Sequence, residues 1–269
     1  EEFCSVRNKN TIKLLTALSL LTLGFALWSF RGYKKAIYTS ENGHYKVFKT
    51  TQDFANIYLL DFGGQYLLID SGSPGGERKL ESWLGEIGVS PEDIDYLILT
   101  HGHPDHAGSA YYFQHKYDLK IIAGNGDNPI INQSGRDTTL CPTGIVGRLI
   151  QKTIAQKRYS TFRPDIVIDS TFELHELGLQ VSVIPVPGHT PGSLIVKVDK
   201  TVFVGDIIKG QNFNPRKPAR HIFICDLDRN LNNIEYISQL EQVEYWLPGH
   251  GGLLLQQDVL SFIQKEKLK

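Results

Sequence analysis

From His44 onward, short apolar runs alternate with amphipathic stretches. Residues 45–48, 57–60 and 66–69 read as strands, separated by turn signals at Asn42-Gly43 and Gly63-Gly64. Leu80, Trp83, Leu84 and Ile87 then recur at helical spacing, which predicts a helix with one buried face. The run Tyr-Leu-Ile-Leu-Thr at 96–100 is a short continuous apolar strand that leads directly into a cluster of histidines. A second helical repeat is marked by Ile145, Val146, Leu149, Ile150 and Ile154. Strands are expected at 181–184, 194–198, 202–204 and 245–247, and helices at 231–240 and 259–265. Strands and helices mixed in this way indicate a layered α/β or α+β domain.

Ahead of this domain, residues 14–30 (LLTALSLLTLGFALWSF) carry no charge and are flanked by Lys13 and Arg31. The length is near the minimum for a spanning helix, and no small-x-small cleavage site follows. The expectation is a division into residues 1–35, a tail with a hydrophobic anchor or signal segment, and residues 36–269, one catalytic domain. On this reading a transmembrane helix makes the membrane a partner and anchors the chain, with its domain on the extracytoplasmic side. Basic residues on both flanks leave the orientation unsettled by charge alone.

Composition narrows the choice of function. Lys plus Arg number 28 against 29 Asp plus Glu, so the basic excess typical of nucleic-acid binders is missing, and a small-molecule substrate is expected. The three cysteines, Cys4, Cys141 and Cys225, form no CxxC pair, which excludes a thiolate zinc site and a disulfide-dense scaffold.

The candidate chemistry begins at Thr100-His101-Gly102-His103-Pro104-Asp105-His106. His101 and His103, two apart in extended backbone, point the same way and can grip one ion. Asp105 and His106 follow the bend at Pro104 and can turn toward a second. Imidazole with carboxylate suits zinc, with iron or manganese as substitutes. Further ligands must come from other loops. His189 in Pro-Gly-His-Thr-Pro-Gly, Asp206 in Val-Gly-Asp and His250 in Pro-Gly-His-Gly-Gly each follow a predicted strand at a glycine-containing turn. Asp70, in Leu-Ile-Asp-Ser-Gly, is either a turn residue or a carboxylate accepting a hydrogen bond from a ligand histidine. His221, between two of these motifs, is a candidate substrate-binding residue; His44, His115 and His175 read as surface or packing positions.

From about Phe48 to His250 these motifs, in this order, resemble the metallo-β-lactamase superfamily. The resemblance implies a four-layer αββα sandwich of two mixed sheets, with metals at one sheet edge. It implies that His101, His103 and His189 hold one metal, that Asp105, His106 and His250 hold another, and that Asp206 bridges two zinc ions. It further implies a hydroxide shared by the metals as nucleophile, with Asp105 orienting it or carrying its proton. An aspartate at 206 argues against the β-lactamases proper, which have cysteine or another residue there. His103 argues against the diiron flavoproteins, which place glutamate at that position. The 44 positions between Asp206 and His250 leave no room for the nucleases' extra domain. The glyoxalase II and lactonase ligand set fits, although the segment after Asp206 lacks the glyoxalase II pattern. An ester, thioester or lactone hydrolase is therefore expected; a phosphodiesterase or nuclease, a β-lactamase and a non-catalytic metal binder are the alternatives.

Overall fold

The computed structural model describes residues 30–32, 34–137, 140–175 and 181–268. Among them, the first sheet is built from β1 (Phe30–Gly32), β2 (Tyr38–Thr39), β3 (Lys46–Gln52), β4 (Ala55–Asp61), β5 (Tyr66–Ile69), β6 (Ile94–Ile98), β7 (Lys120–Gly124) and β8 (Ile166–Ile168). Their order is β1-β3-β4-β5-β6-β7-β8, with β2 also on β3; pairing is antiparallel as far as β5 and parallel from β5 to β8. The second sheet contains β9 (Phe172–Glu173), β10 (Val181–Pro185), β11 (Leu194–Val198), β12 (Thr201–Gly205), β15 (Tyr245–Pro248) and β16 (Leu254–Leu255), in the order β16-β15-β12-β11-β10-β9. Between β12 and β15, a two-strand hairpin joins β13 (Lys209–Gly210) to β14 (Pro218–Ala219).

Side-chain alternation explains the layering. Along β4, Ile57 and Leu59 face one cluster, which also holds Leu80, Trp83 and Leu84 of α1 (Glu77–Glu86). Tyr58 and Leu60 face the other side and meet Val183, Val196 and Phe203 of the second sheet. On the far side of that sheet, Ile195, Val202 and Val204 pack against Ile234 and Ile237 of α6 (Leu227–Ser238) and Val259 and Ile263 of α7 (Gln256–Lys267). A strand buried on both faces is mostly apolar, as β4, β11 and β12 are apart from Asn56, Asp61, Lys197 and Thr201. The result is the expected α+β four-layer αββα sandwich.

Several boundaries differ from the sequence reading. The strand before the histidines stops at Ile98, and α6 begins at Leu227 because the Asp226 carboxylate caps it, accepting from the Arg229 N–H at 2.9 Å. The short helices α2 (Pro104–Ala107), α3 (Ala110–Tyr117) and α4 (Asn128–Asn132) carry too little periodicity to read. The helix marked by Ile145 is found, as α5 (Ile145–Ile154), but it lies on the surface and exposes Ile145, Val146 and Leu149.

The membrane expectation requires correction. Among the described residues no helix is long and apolar enough to cross a membrane. Residues 14–29 of the expected span lie outside the described residues, and its last residue, Phe30, opens β1 and pairs with Gln52 in the first sheet. Neither a transmembrane helix, nor the membrane as partner, nor an extracytoplasmic anchored location is supported.

Candidate metal centre

The site lies where both sheets end on the same side. Asp70 follows β5, the histidine cluster follows β6, His189 follows β10, Asp206 follows β12 and His250 follows β15. Backbone bonds stitch these loops together. Leu194 N–H donates to the Thr100 carbonyl at 2.7 Å, joining the sheets, and Gly249 N–H donates to the Gly205 carbonyl at 2.7 Å. Asn56 Nδ2 and Tyr58 OH both donate to the Pro248 carbonyl, fastening the His250 loop to β4. The buried Asp127 carboxylate accepts from Gly102 N–H, Thr190 Oγ1 and Gly192 N–H, tying the His101–His103 turn to the His189 loop. Gly249 has to be glycine: a Cβ there would collide with Asp206 Oδ1 and come 2.7 Å from His106 Cε1.

Asp206 is the hub. Its Oδ2 lies 3.9 Å from His101 Nε2, 3.5 Å from His106 Nε2, 3.7 Å from His189 Nε2, 3.2 Å from His221 Nε2 and 3.3 Å from His250 Nε2. Three-residue groups with ligand atoms within 4.8 Å of one another include His101, His103 and His189; Asp105, His106 and His250; and His101, His106 and Asp206. All seven residues expected as ligands therefore converge on one point. His221 joins them through a fourth group with His189 and Asp206. His44 and His175 are exposed, and His115 Nδ1–H donates locally to the Tyr111 carbonyl.

The outer hydrogen bonds decide which ring nitrogens carry protons. A carbonyl or carboxylate only accepts, so His189 holds its proton on Nδ1 for the Phe223 carbonyl at 2.7 Å. In the same way His250 Nδ1–H donates to the Phe54 carbonyl, and His106 Nδ1–H to Asp70 Oδ2 at 2.8 Å. The one proton of Thr100 Oγ1 goes to Asp70, so that oxygen accepts from His101 Nδ1–H at 3.1 Å. His103 is turned the other way, with Nε2 on Asp137 Oδ2 at 3.0 Å. The other ring nitrogen of each histidine then faces inward. His103 Nδ1 and His189 Nε2 face each other at 3.0 Å as two lone pairs, which require a cation or a proton between them. Buried His101 Nε2, His106 Nε2 and Asp206 Oδ1 have no hydrogen-bond partner. An imidazole and carboxylate donor set with orphaned, inward-facing lone pairs fits metal ions.

The electrostatics agree. Burial, reinforced by the neighbouring imidazoles, holds His101 and His189 well below the usual histidine range. Burial likewise brings His221 down to about 4. Burial alone would also lower His106 and His250, but Asp206 and Asp105 overcome it, raising His106 well above its usual value and His250 to about 9. Burial would raise Asp105 and Asp206, yet the adjacent histidines hold both below the carboxylate range. Without metal, protons on His106 and His250 supply the positive charge that the two carboxylates demand; metal binding would displace them. The most exposed side chains of the centre are those of Asp105 and His250, at 27% and 18%.

Asp70, left undecided from the sequence, holds two candidate ligand histidines, His106 directly and His101 through Thr100. Three features escaped the sequence reading. Asp137, in Ser-Gly-Arg-Asp, had no flanking motif, and the Phe223 carbonyl, a backbone group, leaves no trace in residue type. Cys141 and Cys225, 84 residues apart in the chain, form a disulfide with Cα atoms 4.8 Å apart. That bridge and the Ile224 N–H bond to the Cys141 carbonyl fasten the strand bearing His221 and Phe223.

Two sheets that bring histidine and aspartate loops to a common edge form a candidate metal site. The chain belongs to the metallo-beta-lactamase superfamily, whose family profile matches residues 50–252. It is 26% identical over 151 residues to a hydroxyacylglutathione hydrolase of Anaeromyxobacter dehalogenans, covering 56% of this chain and 45% of that protein. It is 24% identical over 201 residues to a beta-lactamase-like protein 2 homolog of Caenorhabditis elegans, covering 74% and 56% respectively. The chain thus spans about half the length of these curated relatives. A solved metallo-beta-lactamase of Cronobacter sakazakii with a HARLDQ motif aligns with a TM-score of 0.62 at 16% identity, covering 82% of this chain and 88% of that one. At that identity the likeness concerns the fold.

Proposed function

We propose that this protein is a hydrolase working with two metal ions, zinc by the donor set, that cleaves a carboxylic ester, thioester or lactone. The observation that carries the reading is the Asp206 carboxylate set among five histidine nitrogens, with one three-residue group on each side. His101, His103 and His189 would hold one ion, Asp105, His106 and His250 the other, and Asp206 both. When bound, the ions supply Lewis-acid polarisation of a carbonyl and a water acidic enough to attack at neutral pH.

The protein's own groups do the rest. Asp105 Oδ2, 3.4 Å from His250 Nε2 at the most exposed part of the centre, is placed to align the attacking water and accept its proton. His221, stacked on His250 with ring centroids 5.6 Å apart, would contact the substrate beside Asp206. A phosphodiester carries a standing charge that needs free cations. Of the four basic residues near the ligand segments, Lys217 is paired with Asp258 and Arg220 with Glu266, which leaves Lys209, donating to the neutral Asn212 amide, and the exposed Arg216. A neutral carbonyl needs no such cation.

The test is a panel of chromogenic esters, thioesters, lactones, bis-nitrophenyl phosphate and a cephalosporin on zinc-loaded wild type and Asp206→Ala. Carboxyl-ester, thioester or lactone turnover should lead and should fall by orders of magnitude in the variant. If phosphodiester or cephalosporin turnover leads in wild type and vanishes in the variant, the carbonyl assignment is wrong.

A further inference from the structure

We propose that Asp137 is a positioning residue for the first ligand group, acting through His103; this rests on the metal reading of the site. His103 and Asp137 are both buried, and Oδ2 lies 3.0 Å from His103 Nε2. His103 differs from the other histidines of the cluster in turning Nδ1 inward, toward His189 Nε2. The ring has no covalent reason to prefer that orientation. It sits at the extended N-cap position of α2, where turning about the Cα–Cβ and Cβ–Cγ bonds can offer either nitrogen to the centre. A carboxylate on Nε2 removes the choice. It takes the proton there, leaves Nδ1 as the lone-pair nitrogen and increases the electron density Nδ1 can donate.

The pattern of outer partners supports a division of labour. On the side turned away from the centre, His189 and His250 meet backbone carbonyls and His101 meets a hydroxyl. Carboxylates stand behind His106 (Asp70) and His103 (Asp137). Each of the two proposed ligand groups therefore contains one histidine backed by a carboxylate, and Asp137 serves the group of His101, His103 and His189. Farther along the chain from Asp137, the Leu140 carbonyl accepts from Gln151 Nε2 at 2.8 Å and the Cys141–Cys225 bridge follows. On the N-terminal side of Asp137, Arg136 N–H donates to the Gln133 carbonyl at 3.1 Å and Gly135 N–H to the Ile130 carbonyl at 2.9 Å, which holds the backbone that presents the carboxylate.

The experiment uses the full chain as wild type, Asp137→Asn and Asp137→Ala. Zinc dissociation constants are measured by competition with a chromogenic chelator, cobalt(II) absorption spectra are recorded, and the metal-free proteins are melted. The expected result is that Asp137→Ala weakens one of the two metal equivalents by about 10–100-fold. Asp137→Asn should weaken it less, both cobalt spectra should change, and the metal-free melting temperatures should match wild type. Unchanged affinity and spectrum in both variants, with or without a lower melting temperature, would overturn the assignment. Wild type that takes up no zinc would instead overturn the metal reading itself.

Discussion

Replacing Asp70 tests how far the centre depends on a residue that touches no substrate. Its buried carboxylate accepts from Thr100 N–H at 2.7 Å, Thr100 Oγ1–H at 2.8 Å and His106 Nδ1–H at 2.8 Å. Alanine would orphan all three donors, at roughly 1–3 kcal/mol each, or about 3–9 kcal/mol together. It would also place a non-glycine residue without a local hydrogen bond at φ 64°, for about 1–2 kcal/mol more. Against a domain stability of about 5–15 kcal/mol, Asp70→Ala should fold poorly or not at all. Asparagine tolerates the left-handed conformation and keeps one accepting oxygen. It loses about 1–3 kcal/mol, and its amide cannot accept from both Thr100 and His106. Asp70→Asn should therefore fold, but with His106 free to turn, and metal affinity should fall about 10–100-fold. Urea unfolding of the metal-free protein and zinc competition read the two effects separately. Wild-type stability together with wild-type zinc affinity in Asp70→Asn would refute the reasoning.

Two further outcomes follow from other parts of the molecule. Joining Cys141 to Cys225 closes a loop of sequence separation 84, about 4–5 kcal/mol by loop-closure entropy, whereas measured bridges give roughly 2–4 kcal/mol. A dithiol should therefore lower the urea midpoint of wild type but not of Cys141→Ser/Cys225→Ser, and equal midpoints for wild type with and without dithiol would contradict the bridge's role. Lys49, whose amine donates to the Gly251 carbonyl at 2.8 Å, is pushed by burial down to about 8. Between pH 8 and the ordinary lysine value the unfolded chain binds more protons than the folded one, so stability should rise with pH across that window. Lys49→Met should remove this rise; identical slopes for the two proteins would show that the amine is not so perturbed.

How much was legible in the sequence follows from the range of each signal. The seven candidate ligands stood out because they fall in short segments that follow a strand and contain glycine or proline, a local pattern that survives without knowing the fold. Alternation along β4, β11 and β12 could not be read as alternation, because both faces are buried and most positions on each are apolar. What holds the ligands was mostly out of reach. Asp137 reaches His103 across 34 residues, and Cys141 reaches Cys225 across 84, with nothing in either neighbourhood to announce the partner. The charge-free stretch at 14–30 misled in a different way. Hydropathy alone does not make a span: among the described residues no helix is long and apolar enough to cross a membrane, and the last residue of the stretch, Phe30, is in β1.

The central claim is that this cluster is a two-metal hydrolytic centre. Its most direct test is elemental analysis of zinc-loaded full-length protein, paired with ester or thioester turnover before and after chelation. Close to two zinc ions per chain, with turnover lost on chelation and restored by zinc, is the predicted result. One ion or fewer after loading, or turnover indifferent to the chelator, would contradict it.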